Sequence, residues 1–590
     1  MTMEQAMRWK LEDLFGNTEE WKAALETAKK DAESLAGMKG CAGANAQNLK
    51  KTAVLYEKMN RTLETVFLYA KCKFDENMAD TDSKNLYETA VSAGTEISEK
   101  LSFLAPELMQ LTPEIFEGYC KELPELGLYR KFAQDFFEKK IHVLSSEMEE
   151  LMVRMSALGS SFRSAFDDLR VNDITFPQIP APDGGEITAN EANYQTALLS
   201  SDPQFRLRYY RGLLDTYGKY INTFTSLYYG SVKRTMFEAK SRHYASSRAM
   251  SLAENHVPET VYDSLLKAVH ENQEPMYEYI AFRKKRLGLD ELHFSDLFVP
   301  LVKDTGKQYP YEEAKEIVLE ALRPLGEDYC AVVRQAMDER WIDVYPAPNK
   351  DSGAYSTGDY DHHPLVFLNY TNTLDDVFTL AHELGHAMHT YYSNQNQPYI
   401  YAGYTIFCAE VASTLNEQLL AEYLYQKAET KEEKALLLCK QLDDLRSTFY
   451  RQTMFADFEN ETHKMAERGE PLLPSSLCRL HADLNRAYYG PDLIVDDTLS
   501  YEWARIPHFY RPFYVYQYAT GISAAISISR RILSGTENAV ADYRKFLTTG
   551  GSDHPIELLR IAGVDMASEQ PVLDTVALFR DTLARLKEIL

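Results

Sequence analysis

The stretch VFTLAHELGHAMHT, residues 377–390, sets two histidines one helical turn apart with a glutamate beside the first. On a helix His382 and His386 lie about 6 Å apart along the axis, near enough to share one metal ion. Glu383 is rotated from them by about 100°, so it flanks such an ion instead of binding it and is placed to take a proton from water. Two imidazoles do not complete a catalytic zinc site, which takes a third protein ligand and keeps one position open. His389 stands in line with the pair but about 10.5 Å beyond His382, too far for both to serve the same ion. His389 is therefore expected to line the cleft or support a ligand, and the third ligand to come from another helix.

The elements that must position these groups are legible nearby. Thr373 is a good N-cap and Asp376 occupies the third helical position, an approximate capping box that starts the histidine helix. Val377, Ala381, Leu384, Met388 and Tyr391 form one apolar stripe, with Asp375, Thr379 and the three histidines opposite. Just upstream, PLVFLNY (364–370) reads as a strand, a possible partner for an extended peptide. Downstream, after a loop with Pro398 and Gly403, TIFCAEVASTLNEQLLAEYLYQKA reads as a second helix. Its core stripe is Cys408, Ala412, Leu415 and Leu419, and Glu410, Thr414 and Glu417 lie opposite. A short loop favours antiparallel neighbours, which turns this polar face towards the histidines. Glu410, nearer the helix start, is the first choice for third ligand, with Glu417 in the outer shell.

The rest of the chain is a helical framework. Apolar residues recur every three or four positions in segments such as SSEMEELMVRMSALGSSFRSAFDDL. The clearest break is VNDITFPQIPAPDGGEITANEANY (171–194), a hairpin or hinge between two helical bodies. A second irregular region, 341–373, precedes the histidine helix. With 88 acidic against 63 basic residues the net charge is −25, which repels nucleic acid and anionic lipid. The seven cysteines are scattered without a CxxC pair, as befits a reducing compartment. The charged N-terminus carries no signal-like apolar core, and no apolar run reaches the roughly 20 residues of a membrane span. A cytoplasmic protein without nucleic-acid or membrane partners is expected.

DDVFTLAHELGHAMHTYYS followed by YAGYTIFCAEVASTLNE closely resembles the M3 family of zinc metallopeptidases, and within it the oligoendopeptidase F group. SGAYSTGDYDHHPLVFLNYTNTLDDV, WARIPHFYRPFYVYQYATGISAA and LLSSDPQFRLRYYRGLLDTY resemble other blocks of that family, so the likeness runs from about residue 196 to the C-terminus. It implies one zinc ion held by His382, His386 and Glu410, with Glu383 as catalytic base. It also implies that His508 and tyrosines near it face the substrate carbonyl; of Tyr510, Tyr514, Tyr516 and Tyr518, the first two are the first choices. The implied body is mainly α, a multi-helix bowl with a deep channel, and the strand adds a small β ribbon near the site. The expected division is a helical domain over 1–195 and a catalytic domain over 196–590. The implied activity is zinc-dependent endopeptidase cleavage of short unstructured peptides. Arg505 and Arg511, close to His508, keep open a carboxypeptidase or dipeptidyl carboxypeptidase that anchors a substrate carboxylate, and an inactive peptide-binding protein is the remaining alternative.

Overall fold

The structure, a computed structural model, describes residues 7–303 and 305–590, excluding the side chains at 146, 156 and 157. The first six residues of the charged N-terminus lie outside the described residues. Helices dominate, in keeping with the three-to-four-residue apolar repeat, and among the described residues the strands form three small sheets. The chain folds into two compact units, each assembled from three separate segments. The first comprises Met1–Ile141, Gly306–Tyr423 and Ile528–Gly563; the second comprises His142–Thr305, Leu424–Ser527 and Val564–Leu590.

The proline- and glycine-rich stretch does form a hairpin, Gln178–Pro180 pairing antiparallel with Glu186–Thr188. It lies within the second unit, and the chain first passes from one unit to the other at residues 141–142.

In the first unit the predicted strand is Leu365–Phe367, the middle strand of a three-stranded ribbon. Ile342–Asp343 pairs with it in parallel and Tyr355–Thr357 antiparallel. Being paired on both sides, Leu365–Phe367 has no edge for a peptide; the outer strands are Ile342–Asp343 and Tyr355–Thr357. Aromatic packing fixes the ribbon, with Tyr355 stacked on Phe367 at 4.9 Å and Trp9 at 5.4 Å from Phe367. The buried Lys350 ammonium ties its strands together, donating to the Leu368 carbonyl at 2.6 Å and to Asp343 at 2.5 Å.

The histidine helix spans Leu374–Asn396 and starts as expected. The Thr373 hydroxyl accepts the Asp376 N–H at 3.2 Å, and the Asp376 carboxylate accepts the Thr373 N–H at 2.8 Å. Val377, Ala381, Leu384 and Met388 are fully buried. The glutamate helix spans Ile406–Lys427. Its expected stripe is buried, but so are Thr414, read on the polar side, and the polar Ser413 and Asn416. Burial thus extends beyond the stripe, so these polar groups must find partners inside the protein.

These two helices run antiparallel and meet backbone to backbone. A Cβ on Gly385 would lie 2.5 Å from Ser413 Cα and 2.6 Å from the Ala412 carbonyl oxygen. Asn416 Nδ2 bonds the Ala381 carbonyl at 3.0 Å, one turn away along the same seam. Both obstacles at Gly385 are main-chain atoms, which no rotamer change relieves. Gly385→Ala is therefore expected to prise the helices apart at a cost of about 1–3 kcal/mol or more. A fall in the thermal unfolding midpoint checks this; an unchanged midpoint contradicts it.

Candidate metal centre

The seam at Gly385 delivers His382, His386 and Glu410 to one point. His382 Nε2 and His386 Nε2 are 3.2 Å apart, and Glu410 Oε2 is 3.4 Å from the first and 3.6 Å from the second. Ligands about 2.0–2.2 Å from a tetrahedral ion stand about 3.3–3.6 Å from one another, so this triangle of N, N and O fits a zinc-sized cation.

Each of the three groups is oriented by a second partner. His382 Nδ1 donates to Glu417 Oε1 at 2.9 Å, which leaves Nε2 as the free lone pair facing the triangle. His386 donates to the backbone carbonyl of Ala409. Ser413 Oγ donates to Glu410 Oε2 at 3.2 Å. The electrostatics show how tightly the groups are coupled. Burial disfavours charge on His382, yet Glu410 and Glu417 outweigh it and push its pKa well up. Burial and the neighbouring His382 push His386 down. The bond from His382 holds the Glu410 carboxyl well below the usual carboxylate range.

Glu383 is turned away from the triangle and is only 6% exposed. Burial drives its pKa up to about 7, against the pull of His382 and of the Ser356 N–H on an outer strand of the ribbon. One of its carboxylate oxygens has no hydrogen-bond partner. A carboxyl poised near neutrality with a vacant acceptor is suited to shuttling a proton.

His389 departs from the sequence expectation. It is 1% exposed, stacked on Tyr404 at 3.7 Å with Phe546 at 5.1 Å, and neither ring nitrogen has a partner. Burial drives its pKa down to about 3, so it is a neutral core residue that lines no cleft. It shares a helical face with His382, but Tyr404, in the loop before the glutamate helix, and Phe546 cover that end of the face.

In the second unit, His508 lies beside two of the four tyrosines considered. Its ring is parallel to Tyr514 at 6.3 Å and edge-on to Tyr518 at 6.0 Å. Tyr510 packs on Phe166 at 4.4 Å and near Tyr228 at 6.4 Å, and Tyr516 is a core residue against Tyr262. Burial, Arg163 and Arg511 lower the His508 pKa, which keeps its imidazole neutral. Arg505 is bound to Glu191, its Nε 2.9 Å from Oε1, and lies over the Tyr194 ring. Arg511 covers the Tyr514 ring at 3.8 Å.

Gly385, Ser413, Asn416 and Ser356 escaped the sequence reading. A glycine inside a helix between two candidate ligands was a usable signal of close packing; the other three have none in a single sequence.

The M3 peptidase family model matches residues 197–578, and the oligopeptidase F model matches residues 107–176. The chain is 38% identical over 582 residues to oligopeptidase PepF of Bacillus subtilis, covering 99% of this chain and 87% of that protein. It is 34% identical to the group B oligopeptidase PepB of Streptococcus agalactiae, covering 100% and 98% of the two chains. Among solved structures, oligoendopeptidase-F from Enterococcus faecium is 32% identical with a TM-score of 0.74, covering 97% of this chain and 99% of its own. A protein of Chlamydophila abortus is 33% identical with a TM-score of 0.94, covering 99% and 98%. With matches of this extent, and two histidines and a glutamate converging on one point, the chain belongs to peptidase family M3 and is a metallo-oligopeptidase of the oligopeptidase F branch.

Proposed function

We propose that the enzyme is a zinc-dependent endopeptidase that cleaves short unstructured peptides, with His382, His386 and Glu410 as zinc ligands and Glu383 as general base. The observation that carries this reading is the triangle of ligand atoms with edges of 3.2, 3.4 and 3.6 Å. When bound there, zinc would polarise the scissile carbonyl and lower the pKa of water to about 7.

The chain's own residues account for the remaining steps. Glu383 takes the proton of the attacking water on its unpartnered oxygen and passes it to the leaving amine. The Ser356 N–H steadies that carboxylate while it is charged. The same strand edge, Tyr355–Thr357, is proposed to align the substrate backbone by strand pairing, which reads little side-chain identity. His508, Tyr510 and Tyr514 are assigned to hydrogen bonding with the developing oxyanion, a contribution of about 2.7–4 kcal/mol per donor in other enzymes. Two features favour them as donors: the neutral His508 ring, and burial that keeps the Tyr510 hydroxyl protonated. Residues 196–590 are proposed as the catalytic region and 1–195 as a supporting helical region, in line with the family match beginning at residue 197.

The exopeptidase alternative needs a free cation for the substrate carboxylate. Arg505 is already paired with Glu191, so Arg511, which lies over the Tyr514 ring, is the cation that alternative would use. Glu383→Gln is expected to keep its zinc by elemental analysis and to lose nearly all turnover of an end-blocked fluorogenic peptide. Retained turnover would refute the base, and failure of the parent enzyme to cut an end-blocked peptide would refute the endopeptidase. Glu417→Ala removes the carboxylate behind His382 and is expected to weaken zinc binding about 10–100-fold in a chelator competition. An unaltered zinc affinity would show that Glu417 does not orient the ligand.

A further inference from the structure

The segment carrying His508, Tyr510 and Tyr514 turns sharply at Phe513, whose φ is 51°. Among the described non-glycine residues with positive φ, Phe513 is the only one with a wholly apolar side chain; the others are His, Arg and Asn. It cannot offset the strain with a hydrogen bond from its own side chain, so its surroundings must hold it there. They do so from the Arg451–Glu467 helix. Glu459 Oε1 accepts the Phe513 N–H at 2.8 Å, and the His463 ring packs on Phe513 at 4.7 Å. Glu459 is 1% exposed, and its second carboxylate oxygen has no partner. A buried acid with a single backbone bond is poor stabilising chemistry, and this one is aimed at the strained turn that separates Tyr510 from Tyr514.

We infer that Glu459 is a positioning residue, whose bond to the Phe513 N–H fixes the turn and thereby the mutual placement of His508, Tyr510 and Tyr514. This rests on the reading of that segment as substrate-facing. Burial pushes the Glu459 pKa up to about 8, opposed only by the Phe513 N–H. The groups facing it from neighbouring helices are Tyr228 and Tyr262, both driven further towards their neutral forms, and on its own helix His463, held neutral by burial. Arg248, over the Tyr262 ring, is paired with Glu259 and Asp263. With its folded pKa raised above the usual 4.5, the protonated form is the one the fold favours. That preference is lost as pH rises through about 8, where an unpaired buried anion drives the turn to loosen and hydrate.

The test measures kcat and KM of the zinc-loaded enzyme on a fluorogenic peptide from pH 6 to 9.5 for Glu459→Gln, Glu459→Ala and His508→Ala. Glutamine preserves the acceptor oxygen and cannot ionise. Glu459→Ala is expected to lower kcat tenfold or more with KM and zinc content little changed. Glu459→Gln is expected to recover most of that kcat at neutral pH and to lack the alkaline decline near pH 8. An impaired His508→Ala beside an unimpaired Glu459→Ala overturns the inference, as does a Gln variant that keeps the alkaline decline. An unimpaired His508→Ala overturns the substrate-facing reading instead. If Glu459→Ala does not fold, the pH profile of Glu459→Gln decides alone.

Discussion

The metal centre depends on one steric condition, the approach of two helix backbones at Gly385 and Ser413. The histidines belong to one helix and the glutamate to the other, so the ligand triangle exists only at this interaxial spacing. Any side chain at position 385 would meet the partner's Cα and carbonyl oxygen. The same seam accounts for the polar residues buried around it. Asn416 satisfies the Ala381 carbonyl and Ser413 orients Glu410, so groups that would destabilise an ordinary helix interior become the registration marks of this pair.

Charge is handled differently at the two places where chemistry is assigned. At the metal centre the imidazoles of His382 and His386 lie within 3.6 Å of Glu410, and His382 also within 2.9 Å of Glu417, so charge is shared over short distances. Around Phe513 the protein uses burial without a counter-charge, which leaves Glu459 dependent on its protonation state. Elsewhere in the second unit a buried acid is paired with cations. Glu502 sits 2.8 Å from Arg451 and 3.2 Å from His481, and these partners hold its carboxyl well below the usual range despite complete burial. Removing one member of such a cluster leaves the rest uncompensated, so it fixes a framework more than it tunes a reaction.

Local signals in the chain were sufficient for the histidine helix. Thr373 and Asp376 announced its start, and the apolar spacing from Val377 to Met388 identified its buried side. The strand before it was also visible, but not its position in a ribbon, because pairing partners at Ile342 and Tyr355 are remote and irregular in sequence. His389 was misplaced because helical periodicity gives an angle and no information about what covers that angle. The glutamate helix looked two-sided, while burial extends past its apolar stripe to Ser413, Thr414 and Asn416. Tyr510, Tyr514, Tyr516 and Tyr518 were inseparable by spacing; packing against Phe166, His508 and Tyr262 is what distinguishes them.

By itself the sequence determined the mainly helical class, the two histidines with Glu383 beside them, and a glutamate-bearing helix within reach. These follow from short-range rules: 3.6-residue periodicity, capping, and the reach of an imidazole. Only the tertiary structure decided how close the two helices come, which strand lies beside Glu383, and that an acid from a distant helix holds the Phe513 turn. Those outcomes depend on contacts between residues far apart in the chain, where backbone sterics and desolvation act on neighbours that no local pattern specifies.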